Sequence, residues 1–215
     1  MNISQTRMRL EILEAAKNRF VKPGYGKTTM AEIAADVNIS APHLYNFYKG
    51  KLDLAVAIAD SVTRDHREIL RRSLETNTDN GCEPAEVLHS YFQLEFEINF
   101  KLQSEQPGMR TLLRLVATKR KFSSEVFRIR FLKDLSVYLN QSMEKKELAK
   151  MDPFWMAELL HAATFSYRDL SFPLERKYLD LAKELRGVLD LLMGGFVVAV
   201  QKNAPYREVE GISLS

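Results

Sequence analysis

Residues 28–53, from Thr28 to Asp53, read TTMAEIAADVNISAPHLYNFYKGKLD, and their spacing decides how the rest of the chain is understood. The stretch parses into a short helix with Ile33, Ala34 and Val37 on its inner face, a tight turn, and a second short helix. Thr29 is placed to cap the first helix while Glu32, three residues on, reaches back in a capping box. Asn38 suits a left-handed turn residue, and Ile39 returns the chain to the core. Ser40 caps the next helix, which opens on Ala41-Pro42, where proline is tolerated because its missing donor would be unpaired anyway. Leu44 and Phe47, three apart, point inward and leave Ala41, Pro42, His43, Tyr45, Asn46 and Tyr48 to face outward. Exposed aromatics beside small polar side chains suit base edges and phosphates better than solvent, so the layout predicts a helix-turn-helix that reads DNA.

Charge is concentrated around the same stretch. The 215-residue chain is 46% hydrophobic with a formal net charge of +3. Residues 1–51 carry eight basic and four acidic side chains, a net of +4, and the remainder carries 23 and 24, a net of −1. Phosphate contact requires positive charge near the reading helix.

Before the stretch, a first helix is expected from about Thr6 to Val21, with Ile12, Leu13, Ala16 and Phe20 as its stripe, stopped by Lys22-Pro23-Gly24. After Gly50, a fourth helix is expected from Lys51 to about Glu75, followed by a loop over Thr76 to Pro84. Further helices are expected at about 85–103, 108–121, 123–147, 153–168 and 175–202. No strand-like alternation persists, so the fold class is all-α. A three-helix DNA-binding domain over 1–50 is followed by a larger helical domain over 51–215 for ligand binding and dimerisation.

Cys82 is the single cysteine, which excludes an intrachain disulfide and a multi-cysteine zinc site and fits a reducing cytoplasm. The N-terminal stretch has amphipathic spacing rather than the apolar core of a secretory signal. The most apolar run, Val188 to Val200, contains Asp190 and falls short of the roughly 20 residues a bilayer span needs.

The ordered set Ala15-Ala16, Phe20, Gly24, Thr28-Thr29, Ile33-Ala34, Val37, Ile39-Ser40, Leu44-Tyr45, Phe47-Tyr48, Lys51 and Leu54 resembles the N-terminal domain of the TetR family of bacterial regulators, without a gap from Thr6 to Ile58. Pro42 stands where many members have glycine, and proline suits a first helical turn. The resemblance implies that Thr29 caps the helix before the reader and that Ala41 to Asn46, Pro42 included, enter the major groove. It implies that Tyr45 and Tyr48 approach backbone or base edges, and that Lys51 holds a phosphate with its ammonium and the helix N-terminus. His43 and Asn46, which both donate and accept hydrogen bonds, are the residues expected on bases.

Other motifs carry less. Gly26-Lys27-Thr28 is the tail of a phosphate-binding loop, but the glycine required five residues earlier is Val21. His43, His66, His89 and His161 show no metal spacing, and no cofactor or metal is expected. The basic run from Arg110 to Lys133 reads as a solvated helix face, with an anionic-ligand site or a second DNA-facing surface as the alternative, and Phe122, Phe127 and Phe131 as core.

The last helix is apolar on more than one face: Tyr178, Leu181, Leu185, Val188, Leu192, Phe196 and Ala199 form one set, and Leu189, Leu191, Met193, Val197 and Val200 another. Its own domain can cover one side, so a second subunit is expected on the other, through the helices near 153–168 and 175–202. The expected function is that of a homodimeric, sequence-specific transcription regulator without enzymatic activity, a repressor by family analogy, binding a palindromic operator and released by an unknown small-molecule effector. Phe92, Phe96, Phe100, Leu113, Phe127, Phe131, Tyr138, His161 and Phe165 are the expected pocket residues. The competing reading is a catalytic or non-catalytic helical binder of a small hydrophobic molecule with a vestigial helix-turn-helix, and it leaves the outward cluster beside concentrated positive charge unexplained.

Overall fold

The computed structural model describes residues 3–167 and 176–202. Among them the chain forms nine α-helices and no strand: α1 (Ile3–Arg19), α2 (Met30–Asp36), α3 (Ala41–Tyr45), α4 (Lys51–Asp79), α5 (Pro84–Glu105), α6 (Pro107–Lys119), α7 (Lys121–Glu144), α8 (Pro153–Ala163) and α9 (Tyr178–Lys202). The expected helices at 153–168 and 175–202 touch Arg168 and Glu175, which lie outside the described residues, as do the side chains of Phe122, Phe196, Val197, Ala199 and Val200.

The end of α1 differs from expectation. The α-helix proper ends at Arg19 and widens into a π-helical turn over Phe20–Gly24 with Pro23 inside it, and the chain then turns at Gly24, at φ 104°, where the stop was expected. A π turn leaves carbonyls displaced from their usual partners. The buried Thr28 hydroxyl donates to two of them, the Gly24 carbonyl at 3.0 Å and the Arg19 carbonyl at 3.3 Å. Helix α4 also runs a turn beyond expectation, to Asp79. The polar composition of Thr76 to Asp79 resembles a loop, but the Thr78 hydroxyl folds back onto the Leu74 carbonyl at 2.7 Å and Gly81, at φ 73°, closes the helix. The Cys82 N–H then donates to the Asn77 carbonyl at 3.1 Å, which satisfies one of the last free acceptors.

Two apolar cores follow. The first gathers Ile12, Ala16 and Phe20 from α1 and the turn after it, Ile33 from α2, Leu44 from α3, and Leu54 and Ile58 from α4, and it recruits Met109, Leu112 and Val116 from α6. The second holds Leu70 and Leu74 of α4 with residues of α5, α7, α8 and α9. At 29 residues α4 is about 44 Å long and supplies both. Helix α6 is pressed against the π turn at Gly108, where a β-carbon would lie 2.1 Å from the Val21 carbonyl oxygen and 2.8 Å from its carbon. Only glycine permits that backbone-to-backbone approach.

The basic run on α6 and α7 stays largely exposed, Arg114, Lys119, Arg120, Arg130 and Lys133 included, and two of its members also reach carboxylates of α4. Arg120 reaches Asp53 at 3.4 Å and Arg130 reaches Asp60 at 2.8 Å, while Arg67 of α4 forms a two-armed pair with Asp134. These pairs form a seam between α4 and α7. On α9, Leu189 and Met193 join Leu181 and Leu185 on the buried face, so they do not belong to a second apolar set with Leu191. Leu179 and Leu191 stay outside, 76% and 80% exposed.

Candidate DNA-reading surface and effector pocket

The reading head is built from hydrogen bonds that local sequence dictates. The Thr29 hydroxyl accepts the Glu32 N–H at 3.2 Å and the Glu32 carboxylate accepts the Thr29 N–H at 2.7 Å, closing the capping box. Those bonds, with Arg19 nearby, hold the Glu32 carboxyl below its ordinary range. Arg19 also forks onto Asp36, with one arm at 2.8 Å, and so locks the end of α1 to α2. Asn38 adopts φ 55° in the turn, and the Ser40 hydroxyl accepts the His43 N–H at 3.3 Å to start α3.

On α3, Leu44 is fully buried, which fixes the rotation of the helix. Pro42, His43, Tyr45 and Asn46 are exposed, Tyr45 by 51%, and Ala41 is half-buried at their edge. Thr29 is exposed on the preceding cap. The His43 ring stands edge-on to Phe47 with centroids 5.4 Å apart, and this contact restrains the imidazole without covering it.

Two expected members of this surface sit differently. Tyr48 is 8% exposed rather than outward, packed with its ring 5.4 Å from the Arg9 guanidinium, and burial raises its phenol pKa. Arg9 also lies 5.8 Å from the Phe47 ring, so one cation of α1 clamps the segment after α3. The Lys51 ammonium points back into the protein, donating to the Thr28 carbonyl at 2.7 Å and the Tyr25 carbonyl at 2.9 Å, over the Tyr25 ring at 4.6 Å. Two carbonyls and an aromatic face are a complete shell for an ammonium. What the start of α4 presents to an anion is its backbone donors. Lys27 and Lys49 are the exposed cations near α2 and α3, and their charge at the ends of the motif was the signal for them.

A cavity of about 550 Å³ opens between the cores. Five of the nine expected pocket residues line it: Leu113 of α6, Phe127 and Phe131 of α7, His161 of α8 and Phe165 just beyond. The other four do not. Phe92 and Phe96 are buried in the second core, Phe100 packs edge-on to Tyr178 at 5.1 Å, and Tyr138 lines a separate hollow between α4 and α7. Helix rotation separates the two groups, and residue type does not.

Polar members of the wall were missed. Thr63 and His66 of α4, Glu95 and Asn99 of α5, and Glu125 and Arg128 of α7 all face the cavity. Their signal was a polar residue interrupting an apolar helical stripe, as His66 does between Val62 and Leu70. Burial lowers the pKa of His66 and favours its neutral form. Arg128 donates to Glu125 at 2.6 Å and to Glu158 at 3.2 Å, and the Glu125 carboxyl is held below its ordinary value mainly by that hydrogen bond. Two of the helices that wall it, α4 and α6, also enter the first core, so the cavity shares helices with the reading head.

The sequence profile of bacterial regulatory proteins, tetR family, matches residues 12–58, which span α1 to the first turns of α4. Over those residues the chain is similar to the DNA-binding region of the tetR family. It is 34% identical over 65 residues to the HTH-type transcriptional regulator TtgR of Pseudomonas putida, covering 30% of this chain and 31% of that protein. The match thus spans about a third of the relative's length. The fold likeness extends further. A TetR-family transcriptional regulator from Pectobacterium atrosepticum superposes with a TM-score of 0.68 at 16% identity, covering 91% of this chain and 97% of that one. Thermus thermophilus FadR, a repressor crystallised with lauroyl-CoA, gives 0.61 at 20% identity, covering 95% and 99%. At such identities the likeness is one of fold. Among the described residues no helix is long and apolar enough to cross a membrane, and no acidic, histidine or cysteine cluster could hold a metal ion.

Proposed function

We propose that the chain is a cytoplasmic transcription repressor that binds a palindromic operator as a homodimer and releases it when a small molecule occupies the α4–α7 cavity. The exposed face of α3, with His43, Tyr45 and Asn46 standing on a fully buried Leu44, is the observation that carries the reading. Its side chains reach base edges from the major groove, Pro42 and Ala41 give close approach, and Thr29 with the α4 N-terminus contacts phosphates on either side. The functional division lies near residues 50 and 51, with α1 to α3 as reader and the remainder as sensor and dimer interface.

Dimerisation through α8 and α9 covers Trp155, Leu179 and Leu191, large apolar side chains that the monomer leaves exposed. Twofold symmetry then places two reading helices about 34–36 Å apart, one turn of duplex. An occupant wedged between α4 and α6 changes that separation. A coupling of about 1–3 kcal/mol would weaken operator binding roughly 5- to 150-fold. The FadR relative's bound lauroyl-CoA supports an effector of substantial apolar bulk.

Selection of bound sequences from a random duplex pool by the purified chain tests this reading. Recovery of a palindrome whose half-sites are one helical turn apart is the expected result. Sequence-independent retention, or none after ligand is stripped by unfolding and refolding, would favour the helical binder with a vestigial reading head.

A further inference from the structure

We infer that the effector cavity selects an apolar molecule carrying a hydrogen-bond donor, a hydroxyl on an aromatic or alkyl body, and seats that donor among Thr63, His66 and Asn99. The inference rests on the reading of the cavity as an effector site. Its volume of about 550 Å³ falls within the roughly 300–1,000 Å³ usual for drug-sized ligands.

Helical spacing gathers the polar groups. On α4, Ala59, Val62, Thr63, His66 and Leu70 share one face, and all five line the cavity. On α5 the same spacing brings Ile98, Asn99 and Leu102 to it. Thr63, His66 and Asn99 therefore stand among aliphatic neighbours, where a polar atom left without a bond is costly.

What these three groups have left to offer decides the guest. The Thr63 hydroxyl spends its proton on the Ala59 carbonyl at 2.6 Å, so only the lone pairs of its oxygen remain. The Asn99 Nδ2 donates to the Glu95 carbonyl at 2.9 Å, which leaves Oδ1 and one N–H. The His66 ring makes no hydrogen bond among the described residues, and burial favours its neutral form, in which one ring nitrogen accepts and the other donates. A guest that brings a donor meets an acceptor on all three. One that brings only acceptors finds nothing at Thr63, and plain hydrocarbon would strip all three of their bonds to water without replacement. The remaining polar groups of the wall are already engaged: Arg128 donates to Glu125 at 2.6 Å, and Glu95 and His161 interact with other groups of the protein.

Three stilbenes separate the possibilities. trans-4-Hydroxystilbene donates and accepts, its 4-methoxy analogue only accepts, and the 4-methyl analogue, close to the hydroxyl in size, does neither. Equilibrium dialysis against the full chain is expected to show the hydroxyl compound binding about tenfold more tightly than either analogue. His66→Leu should bring that ratio close to one, and Asn99→Ala should reduce it in part. Should His66→Leu fail to fold, the ratio in Asn99→Ala decides. Equal or tighter binding of either analogue, no binding of any of the three, or a preference undiminished in the folded variants would each overturn the inference. Operator release is read separately. Release by the methyl compound alone overturns the donor assignment and keeps the effector site, whereas tight binding of the hydroxyl compound without release keeps the donor assignment and overturns the effector reading.

Discussion

The two halves of the molecule are held together by different means. In the reading head, nearest-neighbour hydrogen bonds such as the Thr29–Glu32 box and the Ser40 cap set each element, and a small core locks their rotation. In the sensor half, long helices of α4, α5, α7 and α9 pack side by side, and several caps carry no side-chain bond at all. A head built from short-range bonds presents one rigid surface. The side-by-side helices of the other half enclose a cavity, and Gly108 is where the two halves meet.

The contact at Gly108 offers the strongest way to break that division. Gly108→Val would drive a side chain into the Val21 backbone, so α6 must lift from the π turn. The expected loss is about 3 kcal/mol of stability, read as a lower denaturation midpoint, together with a fall in operator affinity. An unchanged midpoint would show that the two halves do not depend on this seat.

Lys51 sharpens the comparison next. Lys51→Met removes two hydrogen bonds from the ammonium to the Thr28 and Tyr25 carbonyls and should destabilise the head by about 2 kcal/mol. If the ammonium acts inward, the slope of operator affinity against salt concentration stays as in the parent chain. A slope shallower by about one unit would instead place it on a phosphate.

Tyr45→Ala is expected to separate reading from folding. An exposed side chain on a helix supported by Leu44 should change stability by no more than about 0.5 kcal/mol. Operator affinity should nevertheless fall by roughly 1–2 kcal/mol, measured by titration of labelled duplex. Undiminished affinity would remove Tyr45 from the interface.

The smallest effect belongs to the sensor half. Burial depresses the pKa of His66 below its ordinary 6.5, so its contribution to stability is full above that value and is lost as pH falls through the depressed one. The thermal midpoint should decline on acidification from about pH 7 to about pH 5, and His66→Phe should flatten that decline. Identical slopes in parent and variant would show that other groups govern the acid limb.

Legibility followed the same division. Capping residues, the left-handed Asn38 and the buried Leu44 were readable because each depends on residues within a few positions. Tyr48 and Lys51 were misjudged because their partners, Arg9 and the carbonyls of Tyr25 and Thr28, lie far off in sequence and draw both side chains inward. The pocket was half legible. Leu113, Phe127, Phe131, His161 and Phe165 line it, whereas Phe92 and Phe96 are no less apolar and belong to the core.

Taken alone, the sequence determined the all-α class, the helix-turn-helix, its caps and the likeness of its N-terminal residues to the tetR family, because helical periodicity and capping are local and leave their signature in residue order. The tertiary structure alone decided which aromatic residues enclose a cavity, which carboxylates face it, and where α6 seats on the head. These depend on how each helix is rotated about its axis by packing against neighbours distant in the chain, and no spacing rule within one helix fixes that angle.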